Sequence, residues 1–200
     1  MNIESAQQLA AIDFAKGDGL VPIVVQNAVT GEVLMLGYGN VESLQQCLET
    51  GDLWLYSRKR QQLWRKGENS GNTQRVVSIA TDCDKDAVMV RVNPRGPVCH
   101  TGARSCFGDP PTLVALNDVI SRRSVELTEN SYTVRLLTDA NLRLKKLGEE
   151  AVELALACNE GDRLRTAEEA ADLIYHILVA SKAAGTSLDD ILTQVEERRK

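Results

Sequence analysis

Apolar and polar positions alternate through the first half of the chain, and past residue 112 the period becomes helical. LVPIVVQNAVTGEVLML (20–36) carries two β-branched and aliphatic runs, which predicts a hairpin turning at Thr30-Gly31. VESLQQCLETG (41–51) has helical spacing and is expected to be a short helix stopping at Gly51. LWLYS (53–57), QRVVSIA (74–80) and AVMVRVN (87–93) read as strands, and KGENSGN (66–72) as loop. GDPPT (108–112) interrupts the pattern. Beyond it, Thr112 is expected to cap a helix through LVALNDVISRR, and a second helix to begin near SYTVRLL (131–137). Asp139 or Asn141 starts or continues a long segment through Cys158. Thr166 is expected to begin another helix, with Glu169 as capping-box partner, and Ser187 with Asp190 to open the last. The expected fold has two domains: an α+β, mainly β domain over residues 1–112 and an all-α domain over residues 113–200.

Composition narrows the class. Aromatic residues make up only 4% of the chain, so the cores must be largely aliphatic. A net charge of −5 argues against a general nucleic-acid binder, yet leaves room for small anionic substrates met by local positive charge. MNIESAQQLAAIDFAKGDG lacks a basic start followed by an apolar stretch, and no apolar run approaches the roughly 20 residues of a membrane span. A cytosolic protein without membrane contact is expected. The five cysteines, Cys47, Cys83, Cys99, Cys106 and Cys158, then favour metal ligands, nucleophiles or buried thiols over disulfides. Cys47 and Cys158 are expected to be thiols in helix cores.

TDCDKD (81–86) sets Asp82, Asp84 and Asp86 between two apolar runs. The D-x-D-x-D pattern is not an EF-hand, because the positions needing glycine and glutamate hold Ala87 and Asn93. An extended segment would put the carboxylates on one side and Cys83 on the other; a hairpin turn would cluster them at its tip. A solvated acidic turn is the ordinary explanation of such a pattern. As ligands, the oxygens suit Mg²⁺ and the thiol a softer metal. PVCHTGARSCF (97–107) adds Cys99, His100 and Cys106. With Cys83 these thiols can form a three-thiolate zinc site with an open fourth position, where bound water has its pKa lowered to about 7. His100, beside a ligand, titrates in the range of a general base. The H-x-E and P-C-x-x-C segments of zinc deaminases are absent.

KKLGEEAVELALAC (145–158) places Glu149, Glu150, Glu153 and Lys146 within an arc of about 100°, opposite an apolar stripe of Leu147, Ala151, Leu154 and Cys158. EEAADLIYHILVA (168–180) groups Glu168, Glu169 and Asp172, with His176 one turn further on; Ala170, Leu173, Ile174 and Ile177 face away. Each cluster alone reads as a solvated helix face. Like charges at these spacings repel by a few tenths of a kcal/mol per pair. Two such faces on successive helices, joined by NEGDRLR (159–165), can meet around a cation, for which Mg²⁺ with substrate phosphates is the natural choice.

SRKRQQLWRKGENSGNTQ (57–74), DCDKD (82–86) and GPVCHTGARSCF (96–107) resemble the signature segments of the phosphoribosyl-AMP cyclohydrolases of histidine biosynthesis. The resemblance implies hydrolytic opening of the adenine ring between N1 and C6 by zinc-activated water. Cys83, Cys99 and Cys106 would bind Zn²⁺, with ligands shared across a homodimer; Asp82, Asp84 and Asp86 would bind Mg²⁺, and His100 would be the base. Arg58, Lys66 and Ser70 are candidate phosphate or ribose contacts. The spacing Glu150-x-x-Glu153 and Glu169-x-x-Asp172 resembles the all-α, MazG-like nucleoside triphosphate pyrophosphohydrolases. SYTVRLL and KKLGEEAVELALA resemble more narrowly the phosphoribosyl-ATP pyrophosphohydrolases. This implies Mg²⁺ on Glu150, Glu153, Glu169 and Asp172, with Glu149 close by, and water attacking the α–β phosphoanhydride. Glu149 and Glu150 are the candidate catalytic carboxylates, and Lys145, Lys146 and Arg143 the candidates to neutralise phosphate. A bifunctional enzyme acting on small phosphoribosyl nucleotides is expected. The rivals are a house-cleaning nucleotide pyrophosphatase and a zinc-stabilised binding module with a helical dimerisation device.

Overall fold

The computed structural model describes residues 1–126, 128 and 130–199. Residues 1–110 and 111–200 form two compact units, the first mainly β and the second helical. Among the described residues no helix is long and apolar enough to cross a membrane.

The first unit is built on a four-stranded sheet in the order β2-β1-β6-β5. β1 (Val21–Asn27) pairs antiparallel with β2 (Val33–Gly39) and parallel with β6 (Val88–Pro94), which pairs antiparallel with β5 (Gln74–Thr81). Alternation decides the buried face: Val21, Ile23 and Val25 of β1 and Val88, Val90 and Val92 of β6 are buried together. α1 (Val41–Thr50) contributes Leu44 and Cys47 to the same core. Its start is set by a reciprocal cap: Asn40 Oδ1 accepts from Ser43 N at 2.9 Å, and Asn40 N donates to Ser43 Oγ at 2.9 Å. Its end comes at Gly51, at φ +70°.

Two features were not expected. QLWR (62–65) forms β4, paired with β3 (Trp54–Ser57) in a separate two-stranded hairpin. Its polar and charged ends hide the strand period. Residues 6–11 and 15–17 form 3₁₀ turns that bury Leu9. β5 carries a bulge between Val76 and Ser78, which leaves Val77 54% exposed.

The second unit contains α2 (Thr112–Glu126), α3 (Tyr132–Thr138), α4 (Ala140–Glu160), α5 (Arg163–Ala183) and α6 (Leu188–Glu197). Val114, Ile120, Leu136, Leu178, Val179 and Leu188 make its core. Helix starts depart from expectation in two places. Thr112 is the first residue of α2, not its cap. α5 begins at Arg163, because Asp162 Oδ1 accepts from Leu164 N at 3.0 Å and Arg165 N at 3.1 Å. Thr166 is inside the helix and donates its hydroxyl to Asp162 O, so Glu169 is not a capping partner. Asp139 caps α4, and the Ser187–Asp190 capping box opens α6.

Of the apolar stripe expected on α4, only Leu147 and Leu154 are half-buried. The helix buries Glu150 and Ala157, whereas Ala151 and Cys158 are exposed. Leu144, Val152 and Leu156 are 62%, 59% and 50% exposed, and on α5 Leu164 and Ile174 are 70% and 45% exposed. The acidic faces of α4 and α5 meet each other, which turns apolar side chains outward. Cys158 is therefore not a core thiol, while Cys47 is.

Candidate metal centres and active sites

The acidic turn joins β5 to β6. It is a hairpin turn, with Asp82 N donating to Ala87 O at 3.2 Å, Ala87 N to Asp82 Oδ1 at 3.2 Å, and Lys85 at φ +66°. Asp82, Asp84 and Asp86 present oxygens that all lie within 4.8 Å of one another. The Lys16 ammonium reaches across from the N-terminal 3₁₀ turns to within 3.0 Å of Asp84 Oδ2 and 3.0 Å of Asp86 Oδ2. It holds the Asp84 carboxyl below its ordinary range and is itself raised in pKa by the same contacts. A cation thus fits between these carboxylates. Nothing local in the sequence announces Lys16, which is brought in from 68 and 70 residues away.

Cys99 and Cys106 stand at either end of a tight loop. Cys99 N donates to Ala103 O at 3.0 Å and Gly102 N to Cys99 O at 3.1 Å. Cys106 N donates to Leu34 O at 2.8 Å and Ser105 Oγ to Val33 O at 2.8 Å, so the loop is anchored along β2. The two thiols are close enough for each to act on the other's titration. Thr101 Oγ1 donates to Cys99 Sγ at 3.2 Å and holds that thiol below its ordinary range, while burial pushes Cys106 up. Thr101 was not foreseen, although it is two residues from a candidate ligand. His100 is exposed, with Nδ1 3.8 Å from Cys99 Sγ. Cys83 is exposed on the acidic turn and belongs to no close ligand group with Cys99 and Cys106 among the described residues.

The turn between β3 and β4 carries Arg58, and the loop between β4 and β5 carries Lys66 and Ser70, the other candidate substrate contacts. The Arg58 guanidinium lies 3.7 Å over the Tyr38 ring. Lys66 is near enough for its charge to act on Cys106. Ser70 is exposed and accepts from Asn72 N at 3.3 Å. Gly67 has φ +88°, and a Cβ there would strike the Asn72 backbone; a Cβ at Gly96 would strike the Asn72 side chain. Asn72 therefore packs closely against both glycines.

In the helical unit, Glu150, Glu169 and Asp172 present oxygens within 4.8 Å of one another. Glu150 is buried on α4, with Lys146 Nζ 2.9 Å from its Oε1 and 3.4 Å from Glu149 Oε2. Arg165 Nε is 3.6 Å from Glu169 Oε1. Glu153 lies outside the close group; partial burial first, then Glu169, Glu150 and Glu149, raise its pKa. Lys145 is exposed, but Arg143 is committed elsewhere, donating to Leu136 O at 2.8 Å and Leu137 O at 3.0 Å at the end of α3. His176 is buried, with Nε2 3.7 Å from Glu150 Oε1, and burial lowers its pKa against the pull of Glu150. The donors fit a hard cation, as the ammonium and guanidinium groups beside them show. Arg165 was missed because the helix was expected to start after it.

An acidic turn and a separate two-thiol loop in the β unit, and a carboxylate cluster on a helical hairpin, supply the donor sets of a two-domain hydrolase. The family model of phosphoribosyl-AMP cyclohydrolase matches residues 35–108, and that of phosphoribosyl-ATP pyrophosphohydrolase matches residues 113–199. The histidine biosynthesis bifunctional protein HisIE of Escherichia coli K12 is 46% identical over 197 residues, covering 96% of this chain and 97% of its own. The protein of the same name from Salmonella typhimurium LT2 is 43% identical over 197 residues, with the same coverage. That from Bacillus subtilis 168 is 45% identical over 192 residues, covering 90% of this chain and 92% of its own. The chain belongs to this bifunctional histidine-biosynthesis family, in which a cyclohydrolase precedes a pyrophosphohydrolase.

Proposed function

We propose that the two units catalyse successive steps, residues 113–200 releasing pyrophosphate from phosphoribosyl-ATP and residues 1–112 opening the adenine ring of the phosphoribosyl-AMP so formed. The observation that carries this is the presence of two separate carboxylate clusters, one within the span matched by each family. In the helical, MazG-like unit, Glu150, Glu169 and Asp172 bind Mg²⁺, and Glu153 completes the set from the next turn. Glu149, outside the close group and partly exposed, takes the proton of the water that attacks the α–β phosphoanhydride. Lys145 and Lys146 neutralise phosphate charge.

In the first unit, Cys83, Cys99 and Cys106 hold Zn²⁺, and Asp82, Asp84 and Asp86 hold Mg²⁺. When bound, zinc lowers the pKa of water toward neutrality and magnesium gathers phosphate oxygens. His100 takes the proton from the water that adds at C6; the N1–C6 bond breaks, C6 becomes a carboxamide carbon and N1 receives a proton. Arg58, Lys66 and Ser70 orient phosphate and ribose.

The separation of Cys83 from the other two thiols supports a homodimer that shares zinc ligands between protomers. The exposed apolar stripes of α4 and α5 supply a second contact face. Incubating the protein with phosphoribosyl-ATP, Mg²⁺ and Zn²⁺ should yield pyrophosphate and the ring-opened nucleotide together. Finding neither would overturn the assignment. Turnover of ordinary or damaged nucleoside triphosphates in preference to phosphoribosyl-ATP would favour a house-cleaning role.

A further inference from the structure

His176 is 4% exposed on α5, in a helical unit whose other buried residues, Glu150 apart, are apolar. Its Nε2 faces Oε1 of Glu150 at 3.7 Å, and its Nδ1 is buried with no hydrogen-bond partner among the described residues. A stranded ring nitrogen is costly, and a phenylalanine or leucine in the same space would avoid that cost. A buried polar group kept at such a cost calls for a function on its other side. Here that other side is the buried carboxylate of the cluster.

The ring is held from two directions. Tyr175 meets it edge-on with centroids 5.1 Å apart at 80°, and Tyr132 at 6.1 Å and 81°. The Tyr175 hydroxyl is hydrogen-bonded to Thr133 Oγ1 at 2.8 Å, and Ser131 caps the helix that presents Tyr132 and Thr133. The stretch SYTVRLL gives no member of the close carboxylate group. Its first three residues instead build the wall that fixes the imidazole.

We propose that His176 is a positioning residue of the pyrophosphohydrolase site, whose Nε2–H keeps the Glu150 carboxylate turned toward Glu169 and Asp172 while Tyr132, Thr133 and Tyr175 hold the ring. The proton is assigned to Nε2 because the group facing it only accepts. At 3.7 Å the interaction is that of an oriented N–H dipole with a carboxylate, longer than a direct hydrogen bond. Lys146 reaches the same oxygen at 2.9 Å, but its side chain is flexible and 26% exposed, whereas the imidazole is fixed by packing. Groups that orient a metal ligand are typically worth about 10–100-fold in metal affinity or activity.

This inference rests on assigning the Glu150, Glu169 and Asp172 cluster to pyrophosphate release, and the test separates the two. Full-length His176→Phe, His176→Gln, His176→Asn and Glu150→Gln proteins are compared in an Asp84→Asn/Asp86→Asn background, so that Mn²⁺ binding read by electron paramagnetic resonance reports the helical unit. Phosphate release coupled to pyrophosphatase gives kcat and KM in the parent background. Phenylalanine keeps the ring packing without nitrogen; glutamine can place an amide N–H near Nε2; asparagine is too short. The expected result is at least a tenfold loss of Mn²⁺ affinity and of kcat in His176→Phe and His176→Asn, and recovery of most of both in His176→Gln. Mn²⁺ affinity and kcat in His176→Phe within twofold of the unsubstituted protein would overturn the proposal. So would equal impairment in all three His176 variants, which would make the role one of packing. If Glu150→Gln retained both Mn²⁺ binding and pyrophosphate release, the assignment of the cluster would fail, and the proposal with it.

Discussion

Cys47 and Cys99 show how one residue type is given opposite chemistry by its surroundings. Cys47 is 1% exposed, and burial raises its pKa from 9.0 to about 11, against the hydrogen bond with Trp54. Cys99 is partly exposed and receives the Thr101 hydroxyl, which favours the thiolate that a metal needs. The raised value has a consequence for stability. The unfolded chain loses this proton near pH 9 and the folded chain only near 11, so the stabilisation is complete below pH 9 and is lost as pH climbs through 11. The effect is on the order of 2–3 kcal/mol. Urea midpoints measured from pH 8 to 11 should fall less steeply for Cys47→Ala than for the parent protein. Identical slopes would show that the thiol is not protected.

At the scale of elements, α4 and α5 are packed through their charged faces. A helix normally buries its apolar stripe, yet α4 buries Glu150 and leaves Leu144, Val152 and Leu156 in the open. If a second copy covers that stripe, Val152→Asp with Leu156→Asp should raise the concentration at which the assembly dissociates in sedimentation, with helical content kept. A dimer that survived both aspartates would place its contacts elsewhere. The first hairpin and the strands β3, β5 and β6 were legible because β-branched and apolar residues alternate there, and α1 because its helical spacing stops at Gly51. β4 was not, since QLWR is too short and too polar to show a period. The start of α5 was misplaced by three residues because Thr166 resembles a cap, while Asp162, next to Gly161, is the stronger one. That slip made Glu169 look like a capping partner and hid Arg165. The acidic clusters themselves were legible from spacing. Lys16 and the wall behind His176 were not, because both depend on contacts across dozens of residues.

Across the whole molecule, the two proposed centres have unlike donors, carboxylates alone in the helical unit and, in the β unit, carboxylates on one turn with thiols on a separate loop. Chemistry of this kind is separable. The most direct test supplies phosphoribosyl-ATP and phosphoribosyl-AMP individually to Asp172→Ala and Cys99→Ala proteins, so that loss of the first step does not starve the second. Asp172→Ala should lose pyrophosphate release by at least about a hundredfold and still open the ring of supplied phosphoribosyl-AMP at the parent rate. Cys99→Ala should release pyrophosphate normally and fail to open the ring. Either substitution abolishing both activities, in a protein that remains folded, would contradict the assignment of one centre to each unit.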